Sequence, residues 1–257
     1  MLRNIKDLRG HELVATDEAV GKAEDFYFDD EKWTVRYLVA RTGSWLKGRH
    51  TVLLSPMAID RADWGDGRLH LRLTRAQVEG SPEIDVDQPV ARHQELAYHQ
   101  HFGWAGYWGI GAGIWGPFGL PGLLAQEPWR APVTEAERRL KQEEERRPDA
   151  HLRSCKEVLG YHLQATDVEL GHVDDFIVDD ETWTLRYLVV DTSNGLFGHK
   201  RVLVSPRWVD KVSWAARKVF VGLGGAAIKS SPEWNPAIPI TRTYEEQLHD
   251  HYARAGY

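Results

Sequence analysis

The chain has one cysteine, Cys155, in 257 residues. That excludes an internal disulfide and any multi-thiolate metal site, and it fits a reducing compartment. It has no basic cluster. The formal net charge is -6 and Lys and Arg are scattered, so the footprint of a nucleic-acid binder is missing and no nucleic-acid partner is expected. The opening MLRNIKDLRGHE carries no apolar signal segment, which predicts a cytoplasmic protein. There is no G-x-S-x-G elbow, no phosphate loop and no G-x-G-x-x-G between a strand and a helix. Gly109-Ile110-Gly111-Ala112-Gly113 is glycine-rich and nothing more. No enzyme activity and no cofactor are therefore expected.

What is present is a duplication. FYFDDEKWTVRYLVA at 26–40 returns as FIVDDETWTLRYLVV at 176–190. The same offset, without a gap, pairs Gly10 with Gly160, Gly21 with Gly171, Ser55-Pro56 with Ser205-Pro206, Trp64 with Trp214, and Ala105-Gly106-Tyr107 with Ala255-Gly256-Tyr257. About 40 of the aligned positions are identical, and a period this long is a domain rather than a solenoid repeat. The expected organisation is a first domain at 1–101, a connector at 102–149 and a second domain at 150–257. Each domain is small enough that mutual packing would help its core.

Within a copy, short runs rich in aromatic and β-branched residues alternate with polar turns. Lys22–Asp29 and Val35–Ala40 flank DDEKWT as a hairpin, in which a symmetric loop sets Phe26 opposite Tyr37 and Phe28 opposite Val35. Thr51–Leu54 is a strand stopped by Ser55-Pro56, and Gly65-Asp66-Gly67 turns a further hairpin. About six strands with no helix among them predict an all-β fold of two small barrels. Phe26, Trp33, Tyr37, Trp64 and their counterparts Phe176, Trp183, Tyr187 and Trp214 are the expected repeat core. Thr74-Arg75-Ala76-Gln77 has capping-box form, whereas Gly224-Gly225 predict a shorter or looser helix in the second copy. A second helix is expected at 91–102.

The connector differs in kind. Residues 102–126 carry no charge, eight glycines and two prolines. The glycines weaken a spanning helix, and a single span would leave the homologous domains on opposite sides of a membrane. The segment reads as an apolar strap, with Trp104, Tyr107, Trp108 and Trp115 as candidate contacts to a protein partner. Residues 134–147 place Glu135 before Arg139 and Glu137 before Lys141, the spacing of an exposed helical spacer.

Candidate chemistry is sparse. Asp29-Asp30-Glu31 and Asp179-Asp180-Glu181 could gather a hard cation, but aspartates in such loops commonly bond their own backbone. Arg36 and Arg186 suit cross-strand pairing or an internal carboxylate such as Asp25 or Asp175. His99 and His101 recur as His249 and His251. Helical i and i+2 positions point apart, so a metal site would need histidines from both copies. A polar helix face is the plainer reading. Cys155 is expected to pack at the start of the second copy.

GHVDDFIVDDETWTLRYLVVDT from Gly171, VLVSP at 202–206 and the tryptophan after it, with their first-copy equivalents, resemble the PRC-barrel family. The family takes its name from the cytoplasmic domain of the photosynthetic reaction-centre H subunit and includes the C-terminal domain of the ribosome maturation factor RimM. The resemblance implies six-stranded barrels with flanking short helices, here packed as a pseudo-dimer, used as docking or assembly surfaces. The expected function is a non-enzymatic interaction module with a protein partner. One alternative is an electron-transport accessory like the H subunit, with Asp174, Asp175, His99 and His249 handling protons. Another is a metal- or small-ligand-binding protein. A ribosome-assembly role is disfavoured by the acidic charge.

Overall fold

The computed structural model describes residues 1–42, 51–82, 90–104, 151–193 and 200–254. Tyr107, Trp108, Trp115 and the 134–147 spacer lie outside the described residues.

Each repeat contributes six strands of a mixed sheet. In the first, β2 (Glu12–Val14), β3 (Ala19–Asp29), β4 (Thr34–Thr42), β5 (Thr51–Leu54), β6 (Ile59–Asp63) and β7 (Arg68–Leu71) pair in the order β5-β4-β3-β2-β7-β6. All ladders are antiparallel except β2 with β7. Two short helices follow, α2 (Arg75–Glu79) and α3 (Arg92–Phe102). The second repeat has β9 (His162–Gln164), β10 (Glu169–Asp179), β11 (Leu185–Asp191), β12 (Arg201–Val204), β13 (Val209–Ser213) and β14 (Lys218–Val221) in the equivalent order. Its helices are α5 (Gly225–Ser230) and α6 (Arg242–His251).

Both sheets are seven-stranded because the repeats exchange their first strands. β1 (Leu2–Asn4) runs antiparallel along β10 of the second repeat, and β8 (Leu152–Ser154) along β3 of the first. Each exchanged strand leads into one helical turn, α1 (Ile5–Leu8) or α4 (Cys155–Val158), absent from the sequence expectation. Ile5, Leu8, Cys155 and Val158 are all buried. Cys155 occupies the place of Ile5, where burial pushes its thiol well up, so it packs as a small hydrophobe.

The copies meet about a pseudo-two-fold axis. Thr34 and Thr184, equivalent residues, bridge each other antiparallel, and a residue can meet its own counterpart only at such an axis. The Val35 N–H donates to the Trp183 carbonyl at 2.8 Å and the Leu185 N–H to that of Trp33 at 2.7 Å. Phe28 meets Phe176 with ring centroids 5.7 Å apart, and Trp183 stacks on Phe26 at 6.1 Å. One hydrophobic core therefore runs through both repeats. Phe26, Phe176 and Tyr187 are fully buried in it, Tyr37 is buried in a second, smaller cluster with Val39, Leu53 and Tyr98, and Trp33, Trp64, Trp183 and Trp214 pack against the main core as half-buried residues.

Two expectations need correction. Phe28 does face Val35, but Phe26 faces Leu38 and Tyr27 faces Tyr37. The extra residue is Arg36, a bulge that shifts the register by one. The second-copy helix α5 is not shorter, at six residues against five in α2. It lacks the capping box but keeps a cap that both copies share, since Asp167 Oδ1 accepts the Gly225 N–H at 2.7 Å as Asp17 Oδ1 accepts the Arg75 N–H at 2.8 Å.

Candidate functional site

The acidic hairpin motif serves the exchange. Asp29 Oδ1 accepts the N–H groups of Glu31 and Lys32 at 3.0 Å each, and Asp179 those of Glu181 and Thr182. These bonds close the loops. Burial pushes the Asp29 carboxyl up, but the Lys32 N–H and the Arg36 guanidinium outweigh it and hold the group below its ordinary range. The second acid reaches the other repeat. Asp30 binds His151 and Arg153, and Asp180 binds the N-terminal amine and Arg3. Those two arginines lie over Trp214 and Trp64, at 4.3 and 4.4 Å from the ring centroids.

A second pair of acids lies deeper. A bulge at Glu24 precedes Asp25, and one at Asp174 precedes Asp175. Asp25 accepts the Lys156 N–H at 3.1 Å and the Ser154 hydroxyl, and Asp175 accepts the Lys6 N–H at 3.1 Å. Each carboxyl thus caps the helical turn that arrives from the other repeat. Arg36 and Arg186 do not hold these acids. Arg36 pairs with Asp29 at 3.0 Å, and Arg186 with Asp179 and Glu245 at 4.0 and 3.6 Å. Each arginine sits at the bulge beside its own loop.

The histidines fix the long helices to the sheets. Glu95, Tyr98, His99 and Phe102 share one face of α3 at i, i+3, i+4 and i+7. The Tyr37 hydroxyl donates to Glu95 Oε1 at 2.9 Å and lies 2.9 Å from His99 Nε2. With its one proton committed to Glu95, the hydroxyl accepts from a His99 Nε2–H. The second repeat has the same arrangement in Tyr187, Glu245 and His249, at 2.8 and 3.3 Å. His101 and His251 point elsewhere, to the carbonyls of Gln77 and Ala227 at 2.7 and 2.8 Å, tying each long helix to the short one. Among the described residues no group of three or more His, Cys, Asp or Glu could hold a metal.

The repeats have diverged around the inner histidine. Trp208 takes the place of Ala58 and packs edge-on to His249 at 5.2 Å. In the first repeat the covering indole is Trp104, at 6.1 Å from His99, stacked on Phe102 at 4.3 Å. Trp104 is thus in contact with its own helix.

A cleft of about 530 Å³ lies between the repeats. The start of β4 and β6 form one wall, Asp180 to Trp183 of the second repeat another, and His99 contributes from α3. Neither the exchange nor the cleft is legible in the sequence. The repeated second acid is their only sequence signal.

The family model described as PRC-barrel domain matches residues 2–78 and 153–221, more than half of the chain. No curated protein matches it. Both matched segments begin with an exchanged strand.

Proposed function

The chain belongs to the PRC-barrel domain family, and on that premise we propose that it is a non-enzymatic interaction and assembly module for a protein partner. Two PRC-type barrels act in it as one body. The observation that carries this reading is the reciprocal exchange of β1 and β8. It fixes the relative placement of the repeats through backbone ladders rather than through the connector alone, which presents a partner with one preset surface and lowers the ordering cost of binding. The polar groups recurring in both repeats support the same view. Tyr37, Glu95 and His99 are engaged with one another, as are Tyr187, Glu245 and His249, and they join helix to sheet. None of the described helices is long and apolar enough to cross a membrane.

Affinity capture from native lysate, divided into soluble and membrane fractions, tests this with the intact chain and a version lacking residues 105–130. Saturable enrichment of one protein at defined stoichiometry is expected. Failure of the folded intact chain to enrich any protein in either fraction would overturn the reading.

A second reading, an accessory to a membrane redox complex, draws on the buried Asp175 carboxyl, which burial pushes up to about 7. Such a group exchanges protons near neutrality. Recovery of a redox complex from the membrane fraction would favour it.

A further inference from the structure

Beyond that reading, we propose that the cleft between β6 of the first repeat and the β10–β11 hairpin of the second binds a small planar organic anion of the aromatic carboxylate class. Its volume of about 530 Å³ falls within the range of small-molecule sites.

Charge decides the class. Among the lining residues, Arg36 is paired with Asp29, Asp60 with Arg72, and Asp180 with Arg3 and the N-terminal amine. Glu181 lies 3.8 Å from that same amine, and His99 is engaged by Tyr37. Arg61 is left as the lining charge, among the described residues, without a side-chain partner. It is exposed on β6 and can turn to an incoming carboxylate, which a guanidinium grips with two parallel bonds. The shape of the ligand follows from the walls. Trp64 and Trp183, both half-buried, supply flat apolar surface from the two repeats, and exposed Met57 adds adaptable apolar surface at the rim. The hydroxyls of Thr34, Ser55 and Thr182 provide polar edges.

An extended peptide is the weaker fit. Among the described residues β6 pairs only with β7, yet it carries Asp60, Arg61 and Asp63, and charge on an edge discourages a further strand.

Calorimetry on the intact chain with 1-naphthoate and with neutral 1-naphthamide tests the assignment. The naphthoate is expected to bind saturably at one site, about tenfold tighter than the amide. Arg61→Gln should remove that preference by weakening the naphthoate alone, while Lys211→Gln, at the equivalent place in the second repeat, should leave both unchanged. Thr182→Trp, at an exposed position, should fill the mouth and abolish binding of both. Absence of saturable naphthoate binding would overturn the proposal. Equal affinity for the two probes, or binding indifferent to both cleft variants, would overturn it as well.

Discussion

Asp175 in the second repeat accepts the backbone N–H of Lys6 in the first at 3.1 Å, so a carboxyl that burial pushes up to about 7 sits on the joint between the repeats. The N–H groups of Phe176 and Lys6 and the Lys6 charge pull it down, and Asp174 beside it pushes it further up. The folded protein thus holds a proton that the unfolded chain releases from about pH 4 upward. This group's contribution to stability is greatest below that pH and is lost as pH rises to about 7, by a few kcal/mol in all. Asp25 shifts in the same direction, again through burial first, while Asp29 shifts oppositely and limits the gain at the acid end. Urea unfolding at stepped pH should show stability falling between about pH 4 and 7, and Asp175→Asn should flatten that slope. A wild-type slope in the variant would show that another group titrates.

Tyr37→Phe should cost more than Tyr187→Phe. Glu95 is wholly buried, so losing the hydroxyl leaves a desolvated carboxylate short of a donor, at about 1–3 kcal/mol. Glu245 is about a quarter exposed, so water can replace the lost donor and its variant should lose about 1 kcal/mol. Chemical denaturation of the two variants at neutral pH compares them. Equal losses would mean that burial of the acid does not set the cost.

Gly171→Ala should be far worse than Gly160→Ala. Both glycines have positive φ, +60° and +81°, which alone costs about 1 kcal/mol for an L side chain. A Cβ at Gly171 would also stand 1.9 Å from the Asp191 carbonyl oxygen, where β10 and β11 cross closely, whereas at Gly160 nothing lies within 4 Å. Thermal melts should separate the pair by several degrees. Similar melting temperatures would mean that the ladder yields at little cost.

Cutting the connector should not separate the repeats. With a protease site placed within residues 130–148 and cleaved after folding, the fragments should co-elute as a unit of unchanged size, because β1 and β8 stay in each other's sheets. Elution as two smaller species under native conditions would show that the exchanged strands do not hold the pair.

The limits of the sequence show at particular residues. Phe28 opposite Val35 follows from loop symmetry, but the bulge at Arg36 does not, because the arginine leaves the ladder to pair with Asp29. The helix at Gly225 forms without a local capping box, and the cap that it shares with its counterpart comes from an aspartate 58 residues away, Asp167. His99 and His101 face apart, as their helical spacing requires. The partners that occupy them, Tyr37 and Gln77, come from other elements.

The sequence by itself determined that this protein is one domain written twice and that each copy is built of short strands ending in two short helices. Those are properties of local pattern and of repetition, which a single chain displays in full. Only the tertiary structure decided that each copy completes the other. LRN and LRS, at 2–4 and 152–154, are short and nearly identical, and nothing in their residues names one sheet over the other. What assigns them is the close meeting of the two hairpins at Thr34 and Thr184, which sets Asp30 and Asp180 within reach of the opposite strand. The cleft arises from the same juxtaposition, because its walls lie about 120 residues apart in the chain and become neighbours only when the repeats pack.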